Sequence, residues 1–317
     1  MKIIYKNRIA NYLNKLNLQS KFDIVDIGAK GDISGLLKTI GNKYLNIIGF
    51  EPNKNEFDKL IENNCNRTYF NIGVFDKKIR KDFFITEEPA ASSFFKPSTN
   101  NKIYEKRNWQ FRKIKKKIKI NCNKLDNLYK KINNIDFLKI DTQGSEYEII
   151  YGASGILKKY SPIVLAETWS TGVYEKTKLF HEVVQLMDKL NYRVIDIDTA
   201  AASWRFNNPI NFTDYDVPVK NGFEVLFIKN NNELIKMKEN KILKTIILLD
   251  LFGYKSFAYY LLRSNKNISN LNYIKFHKLI KKLNLLDYIM SLFPINLIIK
   301  ILTRYKLMSP VNPQLHY

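Results

Sequence analysis

Residues 22–32 read FDIVDIGAKGD, a short apolar run that ends on Asp26-Ile27-Gly28 and turns again at Gly31. A continuous apolar run of this length, closed by glycine, has the signature of a strand buried on both faces. The glycines place a tight strand-to-helix turn directly after it, where backbone can pass close to a ligand. Residues 31–42 then have the pattern of a helix. LNIIGFE at 45–51 repeats the strand pattern; Pro52 stops it, and Asn53 is placed to cap a helix running to about residue 64.

The same alternation continues downstream. Strands are expected at 68–75 (TYFNIGVF), 82–86, 117–122, 136–141 (DFLKID), 162–167 (PIVLAE), 192–197 (YRVIDI) and 223–229 (FEVLFIK). Helical patterns fall at 123–133, 145–160 and 175–190. Strands alternating with amphipathic helices argue for an α/β fold, a Rossmann-like doubly wound and mostly parallel sheet with helices on both faces. The short connection before the last strand leaves its direction open.

Two segments stand outside this alternation. Residues 96–119 hold ten Lys and Arg against one acid, with Tyr104, Trp109 and Phe111 interleaved, and read as an insertion outside the sheet. From 233 to 317 apolar residues recur at helical spacing among 14 Lys and Arg and four acids, which reads as a basic helical C-terminal appendage. The expected organisation is an N-terminal helical segment at 1–20, a main domain at 21–232 and the appendage at 233–317.

The net charge is +22 and 45% of the residues are hydrophobic, so the chain is expected to fold around a core. Lys, Asn, Ile, Tyr and Phe are abundant together, as AT-rich coding DNA produces, and the charge alone selects no partner. The two cysteines, Cys65 and Cys122, form no CxxC pair, which fits a reducing cytosol better than a disulfide or zinc framework. The first 18 residues lack the apolar core of a secretion signal. The most apolar stretch, 242–262, is interrupted by Lys244, Asp250 and Lys255, which argues against a spanning helix. A cytoplasmic protein is expected.

The turn at 26–31 also bears on the ligand. Glu51 ends the second strand 20 positions after Gly31, where an acid can accept hydrogen bonds from both ribose hydroxyls of a nucleoside cofactor. A dinucleotide carries pyrophosphate and favours G-x-G-x-x-G. Here Asp26 stands where that motif has its first glycine. It would repel pyrophosphate but suits the sulfonium and ammonium of S-adenosylmethionine.

The run VDIGAKGD, then GFEP, then DFLKIDTQGSEYEIIYGA, then PIVLAE resembles the FkbM family of S-adenosylmethionine-dependent methyltransferases in order and spacing over about residues 20–230. The resemblance implies a class I methyltransferase fold and O-methylation of hydroxyls on sugars, antibiotics or surface glycans. It puts Asp26, Gly28 and Gly31 around the methionine part of the cofactor and Glu51 on its ribose. It puts Asn71 near the adenine, and Ser92 in a loop that approaches cofactor or substrate. Gln143 stands where many relatives have an acid.

Methyl transfer to a hydroxyl needs an aligned acceptor and a place for its proton. Asp141 and Glu167 end adjacent core strands, where open α/β sheets bind ligands. One of them acting as general base is favoured over Mg²⁺ held by both, because two carboxylates make a thin metal site. Glu146 and His181 lie in the following helices, and His181 is a third catalytic candidate. Trp169 and Trp204 are candidates for stacking on a sugar face or for packing. The basic insertion suits an anionic acceptor. Two alternatives remain: an RNA methyltransferase, resting on charge alone, and a catalytically silent methyltransferase fold used for binding. The tail helices suit either packing or peripheral docking on an anionic membrane.

Overall fold

The computed structural model describes residues 21–30, 44–63, 67–128, 134–207 and 217–278. The N-terminal segment 1–20, Gly31, the helix expected over 31–42 and the tail beyond 278 lie outside the described residues. The chain divides into two compact units, one holding Phe22–Ile33 and Leu45–Asn230, the other including Asn231–Tyr317.

The larger unit is built on a seven-stranded sheet. Its strands are β1 (Phe22–Ile27), β2 (Leu45–Phe50), β3 (Thr68–Phe70), β7 (Phe137–Ile140), β8 (Ile163–Trp169), β9 (Tyr192–Trp204) and β10 (Val219–Lys229). They lie in the order β3-β2-β1-β7-β8-β10-β9. Only β10 is reversed, pairing antiparallel with both β8 and β9. The result is a mostly parallel, doubly wound sheet. Strand order changes direction between β1 and β7, so the carboxyl ends of those strands flank the crevice where such sheets bind ligands.

The core forms because alternate strand residues face the same helices. Val25, Ile27, Leu138, Ile140, Val164 and Ala166 pack with Ile149, Ile150, Ile156 and Leu157, all nearly inaccessible to solvent. The helix Lys54–Asn63 starts as expected: Asn53 Oδ1 accepts from Asn55 N at 3.2 Å.

Several expected elements are cut differently. The strand expected over 68–75 is two: β3 pairs with β2, while β4 (Gly73–Val74) joins a second sheet with β5 (Ile79–Thr86) and β6 (Ile114–Asn123). The chain changes sheets at Asn71-Ile72, and Gly73 permits it. A Cβ there would lie 2.6 Å from both Cys122 Sγ and the Phe94 ring. The helix expected over 145–160 breaks at Ala153 into Glu146–Gly152 and Ser154–Tyr160. The Asp126 carboxylate accepts from Gly155 N at 3.0 Å and Ile156 N at 2.9 Å and so starts the second helix from outside. The helix expected from 175 begins at Phe180, where the Glu182 side chain accepts from Leu179 N at 2.9 Å.

The basic insertion needs correction too. Its last quarter is not outside the sheets: β6 begins at Ile114 and pairs antiparallel with β5. Residues 87–113 form the excursion between these two strands.

In the second unit the described helices are Asn231–Leu234, Glu239–Leu251 and Lys255–Ser264, with a further helical stretch opening at 270. Asn265 Nδ2 donates to Leu234 O and Met237 O, and Glu239 Oε1 accepts from Ser269 and Asn272. Ile242, Leu243, Ile246, Ile247 and Leu249 are all buried. No helix among the described residues is long and apolar enough to cross a membrane.

Candidate active site

A cavity of about 710 Å³, part of it open to solvent, lies at the carboxyl ends of β1, β2 and β7. Ile27, Gly28 and Lys30 form its floor, Glu51, Pro52 and Asn53 one end, and Asp141, Thr142 and Gln143 the other. Phe50, Ile72, Val74, Phe83 and Phe94 give it an apolar wall.

The floor depends on Gly28. Its φ is +81°, and a Cβ there would overlap the carbonyl oxygen of Asp141. Gly28 N and Ala29 N both donate to Phe50 O, at 3.0 and 3.2 Å. The turn therefore ties β1 to β2 while Asp141 N, donating to Ile27 O at 3.0 Å, ties in β7. Lys30 Nζ reaches across to Glu88 Oε1 at 2.8 Å, linking the turn to the loop that carries Pro89, Ala90 and Ser92 over the cavity.

At the Glu51 end the carboxylate is 5% exposed and accepts from Asn53 N at 2.7 Å. Burial pushes its pKa up to about 7, against that hydrogen bond and with help from Glu56 and Asp26. A carboxylate so poorly solvated gains from ligand hydroxyls that donate to it.

At the other end the chain after β7 winds through Asp141-Thr142-Gln143-Gly144, with Gln143 at φ 59° and Gly144 at φ 114°. Glu146 holds this turn: its Oε1 accepts from Thr142 N, Thr142 Oγ1 and Gly144 N at 2.9–3.1 Å. Glu146 is thereby spent on the loop, and burial pushes its pKa up to about 7. The left-handed backbone turns the Gln143 side chain back, so that Nε2 donates to Asp141 Oδ1 at 3.2 Å and to Glu167 Oε2. The Tyr174 hydroxyl lies 2.8 Å from Gln143 Oε1 and 3.0 Å from Ala91 O. Ser93 Oγ donates to Gln143 O at 2.7 Å.

The two carboxyls are in different states. Burial opposes ionisation of Asp141, but Lys139 Nζ, 3.2 Å away, together with Gln143, holds its pKa below the usual range. Burial and the neighbouring Asp141 and Glu146 raise Glu167 well above it. Burial lowers Lys139, but Asp141 and Asp26 outweigh this and keep it charged. Of the pair, Asp141 is thus the more readily ionised and Glu167 the one that favours its neutral form.

The expected site residues are distributed as follows. Gly28, Glu51, Ser92 and Asp141 line the cavity. Glu167 stands behind Gln143, in contact with it. Asp26 is buried and is not on the lining; it pairs in register with Lys139 and contributes to that lysine's field. Asn71 is also off the lining. Its amide donates to Glu51 O at 2.9 Å and Pro52 O at 3.1 Å, and Ile72 faces the cavity instead. His181 is exposed, second in the helix Phe180–Lys189, and not on the cavity lining. Gly31 lies outside the described residues. Among the described residues no group of three or more His, Cys, Asp or Glu is placed to hold a metal, and the cation beside Asp141 is Lys139.

Sequence reasoning missed Lys139 and Tyr174 and gave Gln143 no role. Lys139 was within reach of it, because residues two apart in a strand share a face.

Among known proteins, the family model of the methyltransferase FkbM domain matches residues 26–194. A methyltransferase FkbM of solved structure from Methylobacillus flagellatus KT is 14% identical, with 65% of this chain and 43% of that one covered and a TM-score of 0.35. The present chain thus covers less than half of that relative's length. A precorrin-6y C5,15-methyltransferase from Geobacter metallireducens GS-15 is 13% identical over 70% of this chain and 87% of its own, TM-score 0.36. A fibrillarin from Aeropyrum pernix with natively bound S-adenosyl-L-methionine is 10% identical over 70% and 76%, TM-score 0.34. No curated protein matches the chain. The matched segment runs from the end of β1 into β9, more than half of the sequence, and the chain belongs to the methyltransferase FkbM domain family.

Proposed function

We propose that the chain is an S-adenosylmethionine-dependent O-methyltransferase acting on a sugar hydroxyl of a glycan or related small molecule. The observation that carries this is the cavity at the strand-order reversal, with Glu51 buried at one end and the ionised Asp141 at the other. The residues fit the cofactor. Gly28 leaves no room for a side chain, Glu51 with Asn53 suits a ribose, and Phe50 and Ile72 offer an apolar surface for a purine.

When bound, S-adenosylmethionine supplies an electrophilic methyl group. The protein's own residues do the rest. Asp141 accepts a hydrogen bond from the acceptor hydroxyl and takes its proton as the new oxygen–carbon bond forms. Lys139 keeps Asp141 ionised beforehand. Gln143 fixes the direction of the carboxylate, and Tyr174 fixes Gln143. The loop at 89–92, latched by Lys30 and Glu88, limits water at the reacting atoms.

The test is transfer of labelled methyl from S-adenosylmethionine to glycan, nucleotide-sugar and RNA fractions of the source cell. Label in the glycan or nucleotide-sugar fraction that survives base treatment, as a methyl ether does, is expected. Label confined to RNA would replace the sugar reading with that of an RNA methyltransferase.

A further inference from the structure

Arg112, from the basic segment between β5 and β6, sits in a box of three aromatic rings. Its guanidinium carbon is 4.5 Å from the Trp204 ring centroid, 5.6 Å from Trp169 and 5.8 Å from Tyr174. Nη1 donates to Asn108 O at 3.0 Å. Nε is buried and has no hydrogen-bond partner, and the same is true of the Trp169 indole Nε1 in the same box. Among the described residues no carboxylate forms an ion pair with Arg112. Asn108 O and the Tyr174 hydroxyl are partners of the guanidinium, but the rings give Nε and the Trp169 N–H nothing to donate to. A buried donor left unpaired is destabilising.

The box adjoins the proposed site. Tyr174 is both one of its walls and the residue that contacts Gln143, which lines the cavity beside Asp141. Arg112 as a whole is only half-buried, while its Nε and the Trp169 Nε1 are shielded from solvent, so a ligand has to part the rim of the box to reach them.

We propose that Arg112 and the Trp169 indole N–H form an acceptor subsite for an anionic oxygen group, a carboxylate or a phosphate. The acceptor would then be an acidic hydroxyl compound that places its hydroxyl at Asp141 and its anion at Arg112. A planar guanidinium held among rings carries the fork of donors that such groups accept from. The inference rests on the reading of the cavity as a methyl-donor site.

Three probes test it on the full chain, with and without S-adenosylhomocysteine: methyl glucoside, methyl glucuronoside and glucose 6-phosphate. The first is neutral, and the others separate carboxylate from phosphate. Intrinsic tryptophan fluorescence reads binding, because Trp169 and Trp204 are both in the box. At least one anionic probe should bind tenfold or more tighter than the neutral sugar, about 1.4 kcal/mol. The preference should vanish in Arg112→Gln and be partly retained in Arg112→Lys. Equal binding of all three, no saturable response to either anion, or a preference that survives Arg112→Gln overturns the proposal. If Arg112→Gln does not fold, the wild-type comparison and Arg112→Lys decide. Failure of S-adenosylhomocysteine to bind the same sample would instead overturn the methyltransferase reading, whatever the anions do.

Discussion

Gly28→Ala should cost several kcal/mol of stability and abolish cofactor binding. The residue sits at φ +81°, a conformation that by itself costs an alanine roughly 1–2 kcal/mol. The added Cβ would also overlap the Asp141 carbonyl oxygen and come within 2.9 Å of its carbon, both backbone atoms that cannot swing aside. Relief requires β1 and β7 to part at the point where Asp141 N bonds Ile27 O. Strain at a special backbone position combined with overpacking is among the few routes to a ΔΔG above ~4 kcal/mol. Thermal unfolding measures it. Gly172→Ala is the control, because the nearest atom to its Cβ is 4.0 Å away and no positive φ is involved. Equal melting temperatures for the two variants would contradict this geometry of the turn.

Asp141→Asn should cut turnover by roughly 10²-fold or more while leaving cofactor affinity nearly unchanged. The substitution keeps the shape and one acceptor oxygen, so the loop held by Glu146 should persist. What is lost is the negative charge that Lys139 maintains and the oxygen that takes the proton. Glu167→Gln should be milder, because burial and the neighbouring carboxylates favour the neutral form of Glu167 and a neutral amide can replace a neutral acid. Steady-state rates at saturating cofactor separate the two. If Glu167→Gln is the more damaging, Glu167 is the base and Asp141 its partner.

The strands that carry the sheet were legible because each is a short apolar run with a sharp end: Pro52 after β2, Gly28 after β1, Asp141 after β7. The direction of β10 was not, because periodicity records which face a residue occupies and not which way the chain runs. The split at Asn71-Ile72 was hidden for a related reason. Both halves are strand-like, and what separates them is the close approach of Gly73 to Cys122 and Phe94 from elsewhere in the chain. Glu51 and Asp141 could be located from sequence because both end strands on the crevice side. Gln143 could not, since only its left-handed backbone directs the amide onto two carboxylates. The basic segment hid Arg112 among nine other cations, and only its fold shows that this one is enclosed by rings.

Calorimetric titration of the full chain with S-adenosylhomocysteine, against NAD as comparison, tests most directly whether the cavity is a methyl-donor site. Saturable one-to-one binding is expected at pH values above about 7, where Glu51 is ionised. Affinity should fall as pH drops below that value, because protonation of the free protein's Glu51 then competes with the ribose hydroxyls. Glu51→Ala should weaken binding by about 1.5–3 kcal/mol, the contribution of hydrogen bonds to a charged acceptor, and should flatten the pH dependence. Tight binding of NAD with none of S-adenosylhomocysteine, or full affinity in Glu51→Ala, would contradict the assignment.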